Sequence, residues 1–246
     1  MREGTVAKGA AAAIAARPAR RGAAKRPAAD AGLRKSAKTR QRILVAAARV
    51  FREQGYAGTR LTDIAAAAGM KAGSLYYHFD SREALVEEVI LVGTRRTHDA
   101  VLERLRALPA TATPLQRLEA MIETHLTFVL LQGDISSATI QLIWQIPIEI
   151  RERTLAVQRT YGALWRQVLE EARVAGAIRS DVNLSAIRMS ILGALNWAAD
   201  WYRPTGATPK RISRDIVTMV LHGLATPPSA IDSNANGAGK DGRRRP

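Results

Sequence analysis

The chain has 246 residues, a formal net charge of +15, no cysteine and 47% hydrophobic residues. This length and apolar content suffice for one large domain or two small ones. The absence of cysteine excludes a disulfide framework, a thiolate zinc site and a cysteine nucleophile. No apolar run reaches the roughly 18 residues that a membrane span needs. We therefore expect a soluble protein of the bacterial cytoplasm that associates with the nucleoid and not with a membrane; an N-terminal organelle transit peptide is the minor alternative.

Most of the excess charge lies at the N-terminal end of the chain. Residues 1–42 carry 12 Lys or Arg against 2 Asp or Glu, whereas residues 43–97 carry 7 against 6. The segment 1–36 has few large apolar residues to offset its ordering entropy, so we expect a basic disordered tail there and a second disordered tail at 226–246. Such tails either keep the protein soluble or attract phosphates without reading a sequence.

The residues between the two tails show helical periodicity throughout and no sustained alternation typical of strands. Start signals stand at Ser81, at Thr113-Pro114 and at Thr208-Pro209, where a capping residue precedes the helix. The pattern predicts an all-α fold of nine helices, at 38–54, 61–68, 72–78, 81–108, 114–131, 135–145, 149–175, 183–202 and 209–225.

Two very short helices follow the first helix and are separated only by Gly69-Met70-Lys71. Neither buries enough apolar surface alone, so both should pack on the first helix in a helix-turn-helix. In that arrangement the N-terminal end of the second short helix enters the major groove, and Leu75 and Phe79 are its buried anchors.

The segment from Gly69 to Phe79, with Thr59 to Ala65 before it and Ser81 to Leu85 after it, resembles the DNA-binding unit of the TetR family of repressors. It departs from the family pattern at Arg60 and Lys71, where capping hydroxyls usually stand, and at Arg82, which replaces a lysine. Each lost cap costs about 1 kcal/mol if nothing replaces it.

The resemblance implies a DNA-binding domain at 37–97, a helical ligand-binding and dimerisation domain at 98–225, and a homodimer on a palindromic operator of double-stranded DNA. The side chains expected to contact bases and phosphates lie around the second short helix. The alternative is that the four consecutive rings from Tyr76 to Phe79 form an aromatic core, but four consecutive rings on one short helix cannot all face inward. These DNA-binding residues are Thr59, Arg60, Lys71, Ala72, Gly73, Ser74, Tyr76, Tyr77, His78 and Arg82.

A second resemblance concerns the segment from Asn196 to Pro204, which is similar to the TetR-type repressors that respond to acyl-CoA thioesters in lipid or sterol breakdown. It implies a small-molecule effector, with an acyl-CoA thioester or another apolar metabolite as the candidate. The candidate ligand-binding residues are apolar and aromatic side chains with a few polar groups, although such a stripe is more often plain core. They are Met121, His125, Phe128, Trp144, Tyr161, Trp165, Arg188, Met189, Asn196, Trp197 and Trp201.

In such repressors the last two helices pair with those of a second subunit. Apolar residues of these helices are therefore expected to be shared between the core and a four-helix dimer interface, with a monomeric core as the alternative. They are Leu184, Ile187, Ile191, Leu195, Ile212, Ile216, Met219 and Val220.

Two other function classes compete with a regulator. An enzyme is disfavoured because none of the four histidines has metal-ligand spacing and no nucleophile, phosphate-loop or dinucleotide motif occurs, so we expect no metal and no cofactor. An architectural protein that coats DNA with its basic tails is disfavoured because residues 98–225, with 14 basic and 12 acidic residues, form a nearly neutral domain that coating does not require.

Overall fold

The computed structural model describes residues 28–131 and 134–222, with side chains from residue 32 onward. Within these ranges the chain forms nine helices and no strand, which confirms the all-α expectation. The helices are α1 (Ala28–Gly58), α2 (Leu61–Ala67), α3 (Ala72–Tyr76), α4 (Arg82–Arg106), α5 (Pro114–Leu131), α6 (Asp134–Leu142), α7 (Ile148–Val174), α8 (Leu184–Trp201) and α9 (Pro209–His222).

Helix α1 begins ten residues earlier than the periodicity predicts. Residues 28–36 of the expected disordered tail are helical, because alanine, lysine and arginine favour a helix even where no apolar face marks it. The regular helix breaks where predicted, at Gly55, whose φ of 71° and ψ of 171° are not helical. Residues 1–27 and 223–246, which hold the rest of both predicted tails, lie outside the described residues.

The chain divides into two compact units, residues 1–38 and residues 39–246. Of the first unit the structure describes the helical residues 28–38. Both buried clusters of side chains lie within the second unit.

The starts of α4, α5 and α8 are capped by side chains. The Ser81 hydroxyl accepts from the Ala84 amide, and Asn183 Oδ1 accepts from the amides of residues 185 and 186. Thr113 and Gln116 cap each other reciprocally at the start of α5. These caps satisfy amides that a helix start otherwise leaves unpaired, which explains why the boundaries were readable from local sequence.

Two clusters of buried side chains hold the helices together. The first is built by α1 to α4, together with Ile135, Ala138 and Leu142 of α6, Ile146, and Ile150 of α7. The second is built by the end of α4 and by α5, α7, α8 and α9. The first cluster therefore extends past the predicted domain boundary at residue 97, and α6 packs with α1 to α4. No helix in the described part of the chain is long and apolar enough to cross a membrane.

Candidate DNA interface and effector site

The short helix α3 is held by two fully buried anchors. Leu75 and Phe79 lie in the first cluster with Ile43, Ala47 and Phe51 of α1, as the sequence predicts. Burying a Leu or Phe side chain stabilises the fold by about 1.5–3 kcal/mol. The anchors fix one side of α3 and leave its opposite side to solvent.

The solvent-facing side of α3 carries most of the predicted DNA-binding residues. Lys71, Gly73 and Ser74 are exposed, and a side chain at Gly73 would meet no atom within 4 Å. Tyr76 is 52% and Tyr77 85% exposed. Aromatic side chains of this size are rarely left in water without a partner. We call this face, with half-buried Ala72 and His78 at its edges, the reading face.

Arg40, which no sequence motif indicates, holds the C-terminal end of the reading face. Arg40 of α1 donates from Nη1 to the His78 carbonyl over 3.2 Å, and its guanidinium lies 4.2 Å from the centre of the Phe79 ring. It also pairs with Glu88 of α4 at 3.4 Å. No local motif marks Arg40, because its three partners are distant in sequence.

The start of α2 differs in part from the prediction. Arg60 is exposed and its side chain makes no capping hydrogen bond, but the Asp63 carboxylate accepts from the Arg60 amide over 3.2 Å and replaces part of the missing cap. At α3, Lys71 makes no side-chain cap. Thr59 is fully buried and its hydroxyl donates to the Gly55 carbonyl over 2.7 Å. We therefore remove the Thr59 side chain from the set that reaches DNA.

Arg82 also lies elsewhere than predicted. Its Nη1 donates toward the carbonyls of Tyr56, Ala57 and Thr59 over 3.2–3.4 Å, and the guanidinium lies 4.3 Å from the centre of the Tyr56 ring. The carbonyls at the end of α1 have no helical partner, and a cation satisfies them. Arg82 thus joins α4 to α1, and we remove it from the phosphate-binding set.

Tyr56 links this junction to the other half of the molecule. Its amide, freed by the break at Gly55, donates to Gln145 Oε1 over 3.0 Å, and its hydroxyl donates to Glu83 over 2.9 Å. Burial and the hydrogen bond with Glu83 raise the pKa of Tyr56. A second tie joins Arg52 of α1 to Asp134 of α6 over 2.7 Å. Helix α1 is therefore tied by side chains to α6 and to the residues that follow it.

The second cluster encloses a polar network that joins three helices. His125 Nδ1 of α5 lies 2.7 Å from the Tyr161 hydroxyl of α7, and His125 Nε2 lies 3.0 Å from Asn196 Oδ1 of α8. Trp165 packs edge-on against both rings and is fully buried. Burial lowers the pKa of His125 to about 4, so the ring is neutral, and burial raises the pKa of Tyr161. Sequence spacing alone did not reveal that these four residues meet.

The other predicted ligand residues fall into three places. Met121 is buried in the second cluster and Phe128 is half-buried. Arg188 of α8 donates from Nη1 to the Gly162 carbonyl over 3.2 Å. The remaining four are exposed: Trp144, Met189, Trp197 and Trp201.

The predicted dimer residues lie mostly inside one protomer. Ile191, Leu195, Ile212 and Ile216 are buried in the second cluster, so they form no free surface. Leu184, Ile187 and Val220 are half-buried against that cluster, and Met219 is 40% exposed. Helix α8 is apolar on two sides, and these buried side chains take the core part of the shared role that the sequence predicts for them.

No group of three or more His, Cys, Asp or Glu side chains in the described ranges is arranged to hold a metal ion.

Family models match both halves of the chain. Residues 43–89 match the model for bacterial regulatory proteins of the tetR family, and residues 111–224 match that for a tetracyclin repressor-like C-terminal domain. Over 203 residues the chain is 31% identical to the HTH-type transcriptional repressor KstR2 of Rhodococcus jostii, which covers 76% of this chain and 92% of that relative.

Solved structures of transcriptional regulators have a similar fold. AibR, crystallised with isovaleryl coenzyme A and operator DNA, superposes with a TM-score of 0.68 at 26% identity over 74% of this chain and 98% of that one. The ketosteroid regulator KstR2 of Mycobacterium tuberculosis superposes with a TM-score of 0.61 at 25% identity over 76% and 95%. These relatives are regulators and not enzymes. The chain belongs to the TetR family of DNA-binding, ligand-responsive transcriptional repressors.

Proposed function

We propose that the chain represses genes of lipid or sterol catabolism by binding a palindromic operator as a homodimer, and that an acyl-CoA thioester releases it. In this proposal residues 37–97 read DNA and residues 98–225 bind the effector and the second subunit. It acts in the bacterial cytoplasm, on DNA of the nucleoid. The observation that carries the DNA-binding part is the reading face, whose exposed aromatic and basic side chains stand directly over buried anchors.

The reading face suits a major groove. Its N-terminal end offers Lys71 and Ser74 to base edges, and Gly73 lets the backbone approach closely. Tyr76, Tyr77 and half-buried His78 lie where phosphates flank such a helix. Arg60 adds an exposed cation at the start of α2, and Ala72 completes the surface.

A two-fold operator requires two copies of the reading face, one from each subunit, and α8 and α9 offer a surface that joins the subunits. Met189, Trp197 and Trp201 of α8 and Met219 of α9 are large apolar side chains exposed in the protomer. Exposed Gly193 lies between Met189 and Trp197 on α8. We assign the dimer interface to this apolar face, and the buried residues Ile191, Leu195, Ile212 and Ile216 to the core that supports it.

The effector class is supported by the relatives. AibR was crystallised with isovaleryl coenzyme A, and a relative from Bacillus subtilis that is 26% identical over 157 residues is named a fatty acid metabolism regulator protein. The polar network around His125 offers hydrogen-bonding groups inside an otherwise apolar cluster, as small-molecule sites do.

The test begins with operator selection from a pool of random duplexes, followed by mobility shifts with the selected DNA. The double variant Tyr77→Ala, His78→Ala should stay folded and dimeric and lose sequence-specific binding. The matched control is Trp144→Ala, which removes a similarly exposed aromatic side chain from the segment between α6 and α7. Sequence-specific binding retained by the double variant would refute the reading face.

A further inference from the structure

One side chain of α1 holds the peptide bond between His78 and Phe79. The Nη1 group of Arg40 donates to the His78 carbonyl over 3.2 Å, and its guanidinium lies 4.2 Å from the centre of the Phe79 ring. The His78 amide in turn donates to the Leu75 carbonyl over 2.8 Å. Because each residue has only two soft backbone dihedral angles, hydrogen bonds at both the amide and the carbonyl of residue 78 fix the direction in which its side chain leaves the backbone.

The direction of the His78 side chain also affects Tyr77. The two rings meet edge-on, with their centres 5.3 Å apart. Tyr77 is 85% exposed, so few atoms besides those of the His78 ring restrict its rotation. Both side chains belong to the end of the reading face that the proposed function places against phosphates. The orientation of two proposed DNA contacts therefore depends on the backbone at residue 78.

Arg40 is itself held by α4. Its Nη2 group lies 3.4 Å from Oε1 of the half-buried Glu88. One planar guanidinium thus meets a carbonyl and a carboxylate with its N–H groups, and an aromatic ring with its face. A lysine ammonium is a compact point charge without such a plane, so it cannot reproduce the three contacts together. The site requires an arginine and not merely a positive charge.

We propose that Arg40 is a positioning residue for DNA binding, which orients His78, and Tyr77 through the His78 ring, without touching DNA itself. This assignment rests on the proposed function, because it takes the side chains of residues 77 and 78 as DNA contacts. Without Arg40, both side chains have to be ordered when the DNA binds. Immobilising a side chain on binding lowers affinity by a factor of about 2 to 10, so the loss of Arg40 should weaken operator binding by about 10-fold.

The experiment measures the affinity of the full chain for the operator selected from random duplexes, at a temperature where thermal unfolding shows every variant to be folded. Arg40→Met keeps an apolar stem beside Phe79 and removes the guanidinium, and it should bind about 10-fold more weakly. Arg40→Lys keeps the charge and should still bind more weakly than the wild type. It provides the test if Arg40→Met does not fold. Arg49→Met is the matched control and should bind like the wild type, because Arg49 is an exposed arginine of α1 that pairs with Glu53 of the same helix.

Two readouts separate positioning from a direct contact and from a general loss of structure. In a His78→Ala background there is no ring to orient, so Arg40→Met should weaken binding by less than about 2-fold there. A general structural role would give the same loss in both backgrounds. A phosphate contact made by Arg40 itself would lower the slope of log K against log salt by about 0.9, whereas positioning leaves that slope unchanged.

The outcomes distinguish the two levels of the proposal. If His78→Ala binds the operator as tightly as the wild type, the proposed role of His78 in DNA binding is wrong. If His78→Ala weakens binding but both Arg40 variants bind like the wild type, the DNA contact stands and the positioning role is overturned. Equal losses in the two backgrounds, or a salt slope lower by about 0.9, overturn the positioning role as well.

Discussion

Replacing Gln145 by alanine tests the tie between the DNA-binding helices and the rest of the protein. Gly55 breaks the regular hydrogen bonding of α1, and the Tyr56 amide is then satisfied by Gln145 Oε1 over 3.0 Å. The Tyr56 carbonyl is bound by Arg82 and its hydroxyl by Glu83, so the backbone at this point cannot turn its amide elsewhere without breaking further bonds.

The expected loss follows from the burial of the bond. A buried amide left without an acceptor costs about 1–3 kcal/mol, and because Gln145 is itself exposed, water reaches the site and the cost lies near 1 kcal/mol. For a chain of this size that free energy lowers the melting temperature by about 2–4 °C.

The assay is thermal unfolding at one fixed protomer concentration, since dimerisation makes the melting temperature depend on concentration. Gln145→Glu keeps an oxygen that accepts from Tyr56 and should lose less stability. Gln141→Ala is the matched control, because it removes the same side chain from α6, where Gln141 makes no side-chain hydrogen bond with the described residues. The reasoning is refuted if Gln145→Ala and Gln141→Ala have the same melting temperature, or if Gln145→Glu melts at as low a temperature as Gln145→Ala.

Two further predictions concern the effector and dimer helices. Because burial lowers the pKa of His125 from 6.5 to about 4, the unfolded chain takes up a proton first as the pH falls; the stabilising contribution is complete above about pH 6.5 and is lost toward pH 4. Denaturant titrations should show that the free energy of unfolding falls by about 2 kcal/mol between pH 7 and pH 5 because of this group. His125→Gln should abolish this loss, whereas His222→Gln, at an exposed site, should leave it intact. Trp197→Glu places a charge in the proposed dimer face and should give a folded monomer by light scattering with unchanged helical circular dichroism; a dimer of wild-type affinity would contradict the assignment of that face.

The sequence by itself determined the helices and the reading face. Helix boundaries depend on caps, prolines and glycines within a few residues, so Thr113, Pro114 and Asn183 marked them locally. The reading face is equally local, because its buried anchors and exposed side chains alternate along one short segment, from Lys71 to Phe79. In a contiguous motif of this kind, the positions of the buried anchors determine which side chains face solvent.

Only the tertiary structure decided the direction of side chains that have two suitable environments. Arg82 was as well suited to a phosphate as to the carbonyls at the end of α1, and distant chain segments supplied the carbonyls. Trp197 and Ile191 lie on two apolar sides of α8, and the sequence does not tell which side faces its own core. His125 contacts Tyr161 and Asn196, which lie 36 and 71 residues further along the chain. No pattern within a single helix predicts these contacts.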